Sequence, residues 1–358
     1  MEYRATPSAI SDLAAVPLER AFDDLLGRRP RRPLIALGEP THGVAEFLRL
    51  RNDLVAHLVT RHDCRTITVE SDCLAATLVD DYVTGGDQGF EAVMVAGFSH
   101  GFGHAAGNRE LVSWLRDHNA AQPADRQVRF HGFDGPMELY SMPTPRTAIT
   151  PVSTYLRDNG VQPPVSVEEV DRLLGDDADW TDAAALSDPT RSIGDSHRVR
   201  ALRLAVDDLV TTLESRSPAL LAASSETALH RARMRLRTAQ WVLRYHVAAA
   251  DHGPHRIAAM LGLRDALMAA NLLDSAANAP GPALAFGHNS HLRRRESTWF
   301  FAGAQQRWWS GGAIAATTLG DRYLHIATDL AGGDFPPDTL HGLLGPVVTG
   351  GALFDAAH

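Results

Sequence analysis

No lysine occurs anywhere in the 358 residues, so every strongly basic side chain among the 34 counted is an arginine. That absence excludes Schiff-base lysine chemistry and the phosphate-loop lysine, and with them two large enzyme classes. Cysteine is nearly absent as well. Cys64 and Cys73 flank the apolar run from Thr66 to Val69, and two thiols cannot build a disulfide framework, so a reducing compartment is expected. Positive charge is outweighed: 34 basic against 43 acidic residues leave a net charge of −9. An acidic whole offers no field for nucleic acid or anionic lipid. The one dense basic patch, Arg28, Arg29, Arg31 and Arg32, lies in a proline-containing stretch and reads as a solvated linker. Long apolar runs are missing too. The N-terminus mixes Glu2, Arg4, Asp12 and Glu19 with short apolar stretches, which fits neither a signal peptide nor a span of about 20 apolar residues. A cytoplasmic protein with no membrane or nucleic-acid partner is the expectation.

What is present is ordinary globular material, 44% apolar and 22% charged, enough for one large core with an insertion or for two domains. Leu34 to Gly38 is a short apolar run bounded by Pro33 and Gly38 and reads as a buried strand. Phe47, Leu50, Leu54 and Leu58 then recur at helical spacing between Val44 and His62, before the β-branched run Thr66 to Val69. This βαβ pattern argues for a parallel pair. A helix over Arg109 to Asn119 and a strand over Val128 to Phe133 extend the alternation. Long amphipathic helices follow, at Ser196 to Glu214, Glu226 to Ala250 and His255 to Ala277. Strand signals return at Ala283 to Phe286, Ala313 to Leu319 and Tyr323 to Thr328, with Gly320-Asp321-Arg322 as a hairpin turn between the last two. Ala331 to Asp338 reads as a surface loop. The expected fold is α/β, a central mixed and largely parallel sheet flanked by helices, with a large helical insertion. Residues 1–150 would form its first part, 151–280 the insertion, and 281–358 the part that completes the sheet.

In open α/β sheets, reactive groups collect beyond the carboxyl ends of strands. Three such ends carry polar clusters: Glu39-Pro40-Thr41-His42-Gly43, Glu70-Ser71-Asp72, and His288-Asn289-Ser290-His291. They supply imidazoles that titrate near neutrality and carboxylates that can orient them or raise their basicity. Arg49 and Arg51, one or two turns into the first helix, can offer a fixed positive charge to a developing oxyanion.

The run Gly38-Glu39-Pro40-Thr41-His42-Gly43, with Glu46-Phe47 and the Arg49 and Arg51 pair, resembles the opening motif of the erythromycin esterase family. Further matches follow in order: Glu70; Asn108 and Glu110 before Trp114-Leu115-Arg116; Gly132-Phe133-Asp134; Arg264-Asp265 with Met268 and Asn271; Gly287 to His291; and Leu319-Gly320-Asp321. The resemblance implies an esterase that opens a macrolide lactone by direct attack of water; no cofactor is expected, and no metal, since no His-Glu-x-x-His element is present and the arginines would repel a cation. It puts the general base on His42, and Glu39 and Glu70 beside it to orient it and the water. Arg51, His288 and His291 would bind the carbonyl oxygen or protonate the leaving alkoxide, while Arg49, Asn289, Asn108, Asp134 and Arg264 would contact substrate. Tryptophans that the family often carries near the second and third of these elements are replaced by Asp72-Cys73-Leu74 and His104-Ala105-Ala106. Both changes touch the substrate cleft, so the likeness implies a reaction class rather than erythromycin itself.

Three other readings compete. Gly97-Phe98-Ser99-His100-Gly101 after Val93 to Ala96 has the form of a nucleophile elbow, though Gly101, Gly103 and Gly107 oppose the helix that an elbow requires. His42, His288, His291, Glu39 and Glu70 could hold zinc or manganese in a metal hydrolase. A binding protein could carry a metabolite in the same cleft. Of the smaller clusters, Arg231, Arg233, Arg235 and Arg237 read as a solvated helix face, Arg293 to Arg295 as either exposed or a contact for an anionic substrate group, and Trp308 and Trp309 as a core edge.

Overall fold

The run from Leu34 to Glu39 is buried at all six positions, as a parallel strand covered on both faces must be. A computed structural model of the protein describes residues 18–27, 34–137 and 142–329. Helix α1 (Leu18–Gly27) precedes β1 (Leu34–Glu39), and α2 (Ala45–His62) leads to β2 (Thr66–Asp72). Helices α3 (Ala76–Val83), α4 (Phe90–Ala96) and α5 (Ala106–Ala120) come before β3 (Arg129–Asp134). A helical stretch follows: α6 (Arg146–Asp158), α7 (Val167–Leu174), α8 (His197–Ser215), α9 (Ser217–Ala223), α10 (Glu226–Ala249) and α11 (Arg256–Asn278). The chain then returns through β4 (Ala283–His288), the single turn α12 (Asn289–Leu292), β5 (Glu296–Phe301), β6 (Ala304–Trp309), α13 (Gly311–Leu319) and β7 (Tyr323–Ala327).

The five-stranded sheet has the order β3-β2-β4-β1-β7, and every pairing in it is parallel. The antiparallel component is a separate two-stranded ribbon, β5 with β6. The sheet departs from the sequence reading in one consequential way. β1 and β2 are joined by α2 but do not pair, because β4 lies between them and takes partners on both sides. Its run Ala-Leu-Ala-Phe-Gly is apolar enough to be buried at five successive positions, which is what a central strand demands.

The stretch Ala313 to Leu319 is helix rather than strand, so no hairpin joins it to Tyr323. Ser310 caps it by accepting the Ala313 amide, and the small residues Gly311, Gly312, Ala313 and Ala315 pack it against its neighbours. A side chain at Gly312 would strike the carbonyl oxygen of Leu292. Ile314, Thr317 and Thr318 suggested β structure, but capping and close packing override their propensity. The true hairpin lies at Ala302 and Gly303, both with positive φ (53° and 75°), the two-residue geometry that suits a twisted ribbon.

One apolar core lies between α2 to α5 and the sheet, and another joins β1, β3 and β4 to α11 and α13. A third is made by helices α6 to α10 themselves. The arginines of α10 do not form a solvated face: Arg231 pairs with Asp80 and Asp81, Arg233 with Glu214, and Arg237 with Asp274, while Arg235 donates to the Thr147 carbonyl. They fan around the helix and bind it to elements on several sides. The segments at Arg28 to Arg32 and Ala331 to Asp338 lie outside the described residues.

Candidate active site

β1, β2, β3 and β4 end at Glu39, Asp72, Asp134 and His288, so their carboxyl ends collect at one edge of the sheet. Because β4 runs between β1 and β2, the stretch from His288 to His291 emerges between Glu39 and Glu70. The rings of His42 and His288 stand 5.3 Å apart, so three segments distant in sequence meet. Gly43, at φ +84°, makes the turn that lets the chain leave His42 and enter α2, a conformation that costs glycine nothing.

Glu39 accepts a 2.7 Å hydrogen bond from His42 Nδ1. Glu39 and Glu70 are each 5% exposed in their side chains, whereas His42 is 36% exposed, so the imidazole faces the opening and the carboxylates lie beneath it. With Nδ1–H committed to Glu39, the lone pair of Nε2 points toward Glu70, whose Oε1 is 3.7 Å away. Burial pulls the His42 pKa down, but the bond from Glu39 and the charges of both glutamates outweigh it, and the value lies above the ordinary 6.5.

Glu70 is the electrostatic centre of the site. Its Oε1 is 3.6 Å from His291 Nε2, 3.7 Å from His42 Nε2 and 3.8 Å from Arg264 Nη2; its Oε2 accepts the His288 amide at 2.6 Å. Burial alone would raise its pKa, yet His291, His42 and Arg264 hold it down to about 2. His291 is buried, which favours the neutral ring, but Asp265 and Glu70 reverse this and push its pKa to about 9. At neutral pH it is an imidazolium, donating Nδ1–H to Asp265 at 3.0 Å. His288 is the opposite case. The Ser290 amide donates to its Nδ1 and its Nε2 donates to the Pro40 carbonyl at 2.8 Å, and burial, the largest influence, keeps its pKa low. His288 is therefore a neutral ring that ties the end of β4 to the turn after β1.

Most residues expected to touch substrate lie behind this cluster. Arg51 is 1% exposed and gives its donors to Asn52, Asn108 and the Gly107 carbonyl, with its guanidinium 5.0 Å from the Phe286 ring. Burial brings its pKa down to about 9, and its charge acts on Glu39 from below. Asn108 is its partner. Arg264 forms a two-armed pair with the fully buried Asp134 and also approaches Glu70. Asn289 clips the end of β4 to the Thr328 carbonyl, with its side chain over Gly38. Arg49 is 66% exposed and pairs with Glu46, apart from the cluster.

Asp265 was legible only as part of a motif, without a role. It holds His291 and also receives the Trp308 indole N–H at 2.7 Å and the Gly311 amide at 2.6 Å. Trp308 is thus a buried support, while Trp309 is 58% exposed. Phe102 packs 5.0 Å from the His42 ring. The run Val93 to Ala96 belongs to helix α4, so Ser99 follows a helix rather than a strand and does not sit on an elbow. Its hydroxyl contacts His100 Nδ1 at 2.8 Å and accepts the Asp72 amide at 3.0 Å, fastening this loop to the end of β2.

The erythromycin esterase family profile matches residues 59–340. A Bacillus cereus protein of known structure superposes with a TM-score of 0.67 at 17% identity, covering 90% of this chain and 74% of that one. A succinoglycan biosynthesis protein gives 0.65 at 15% identity over 90% and 74%. A mutant of the erythromycin esterase EreC in its open conformation gives 0.59 at 21% identity over 86% and 72%. No curated protein matches the sequence.

Proposed function

The chain belongs to the erythromycin esterase family, and from that premise we propose that it hydrolyses an ester or macrolactone by water attack, with no covalent intermediate. One observation carries the reading: Glu39 fixes the His42 tautomer at Nδ1, leaving the unprotonated Nε2 3.7 Å from Glu70, whose same oxygen lies 3.6 Å from His291. A water held near His42 Nε2 and Glu70 gives its proton to Nε2 as its oxygen adds to the ester carbonyl carbon. His291 stabilises the charge that develops on the carbonyl oxygen, and Arg264 contributes only its field from behind, through Glu70. When the carbon–oxygen bond to the leaving group breaks, the alkoxide takes a proton from the cluster. The products are an acid and an alcohol, the mass of the substrate plus one water.

The helices between β3 and β4 carry an apolar core of their own, and the last of them, α11, brings Arg264 and Asp265 to the cluster, so this stretch would be the part of the fold that shapes the cleft for its substrate. A large lactone of the kind handled in antibiotic resistance or secondary metabolism suits such a cleft. The test is a mass-spectrometric search for a gain of one water across macrolactones and simple esters. His42→Ala should lower turnover by about 10² to 10⁴, while Ser99→Ala leaves it largely intact. Turnover that survives His42→Ala and vanishes with Ser99→Ala, in a folded protein, would overturn the mechanism in favour of a serine nucleophile.

A further inference from the structure

At the far end of α2, well away from the cleft, Asp23 Oδ1 lies 2.8 Å from His57 Nε2 and 2.6 Å from His62 Nε2. The two rings are 5.4 Å apart, and the three ligating atoms all lie within 4.8 Å of one another. No other group of three or more His, Cys, Asp or Glu side chains among the described residues brings its atoms together so closely. From this geometry we propose that Asp23, His57 and His62 bind a divalent transition-metal ion of the zinc class, which fastens α1 to α2.

Two converging imidazole nitrogens select such an ion over magnesium or calcium, which prefer all-oxygen sites. Nitrogen and oxygen ligands at about 2.0 to 2.2 Å in a tetrahedron stand about 3.4 Å apart, so Asp23 must withdraw by about 0.7 Å to admit the ion. Its side chain is 44% exposed and has room to do so, whereas His57 and His62 are only 14% and 23% exposed and hold their places. Water completes the coordination from the open side. Both histidines lie toward the carboxyl end of α2, where the partial negative charge of the helix favours a cation. The neighbouring Phe22 is buried in the same core as Val55 and Leu58, so α1 already rests on this face of α2. The ion's part is structural: α2 has eighteen residues, a length of about 27 Å, and His42 lies beyond its other end. Failure of this proposal leaves the hydrolase reading untouched.

The experiment titrates the full chain, stripped with chelator, with zinc against a chromophoric competitor at neutral pH. Wild type should bind one equivalent that His57→Ala/His62→Ala lacks. Loss of a mere outer-shell partner costs about ten- to a hundredfold in affinity, so removing two ligands should weaken binding by more. Zinc should also raise the thermal midpoint of wild type and not of the double variant, with ester turnover equal in both. Identical isotherms for the two proteins, or no zinc bound by wild type, would overturn the proposal. Should the double variant not fold, anomalous scattering at the zinc edge from wild-type crystals decides. A peak bonded to His57 and His62 Nε2 upholds the site, and a peak only near His42 and His291, or none, sinks it.

Discussion

In the proposed hydrolysis His42 must be neutral to accept a proton, yet Glu39 and Glu70 favour its charged form and hold its pKa above 6.5. His291 must keep its proton to stabilise an oxyanion, and it does so up to about pH 9. Activity should therefore rise through a limb above pH 6.5 and fall near 9, a bell seen in kcat/KM against pH. Asp265→Asn should move the alkaline limb down by about 1 to 3 units, because the variant removes the strongest support of the His291 proton. An unmoved limb would rule out His291 as its source. The same group couples to folding. A pKa raised from 6.5 to about 9 gives stability that is complete below 6.5 and lost as pH rises through 9. The histidines and glutamates were legible in the sequence because short polar runs follow apolar strands. Their supports were not. Asp265 lies on a helix 26 positions before His291, and only the packing of α11 against α13 and β6 brings its carboxylate, the indole and the imidazole together. Arg51 was legible as a cation but not as one sealed beneath the site, since burial is a tertiary property.

Among the elements, β4 tolerates almost no change. A Cβ on Gly287 would stand 2.7 Å from the Phe133 ring, 2.8 Å from Glu70 Oε2 and 2.9 Å from Glu70 Cβ. Gly287→Ala should cost about 1 to 3 kcal/mol in a denaturant melt. Its loss of kcat should exceed that of an equally destabilising core variant elsewhere, because the displaced side chain is Glu70; equal losses would show that Glu70 has not moved. The three longest helices, α8, α10 and α11, were read to within a residue because their apolar positions repeat regularly over many turns, whereas α5 begins three residues before its expected start. The error of element type fell on a short element. Ala313 to Leu319 holds only nine helical residues with its two leading glycines, too few for periodicity to outvote β-branched residues. The ribbon of β5 and β6 has a turn signal in Ala302-Gly303, but exposed Phe300 and Trp309 blur its alternation of apolar and polar positions.

Across the whole molecule, the carboxylates of the cleft already have cationic partners: Arg264 and the imidazolium of His291 both lie within 4 Å of Glu70, so a metal ion at Glu70 would have to displace them. Turnover measured after exhaustive chelation should equal that of untreated protein. A loss that zinc or manganese restores would instead make the same residues a metal centre. The alternation of strands and helices revealed the class of fold, but strand order was beyond it, because pairing depends on which apolar runs meet and not on which are consecutive. The central place of β4 has an outcome in time as well as in space. A nascent chain that has emerged only as far as β3 holds β1 and β2 with an open slot between them, and residues 135–282 must be made before the slot is filled. Pairings of such sequence separation make for high contact order and slow assembly. The cluster at the carboxyl ends of the strands is thus complete only when β4 inserts, and a prematurely terminated product would carry His42 and Glu70 without the strand that lies between theirs.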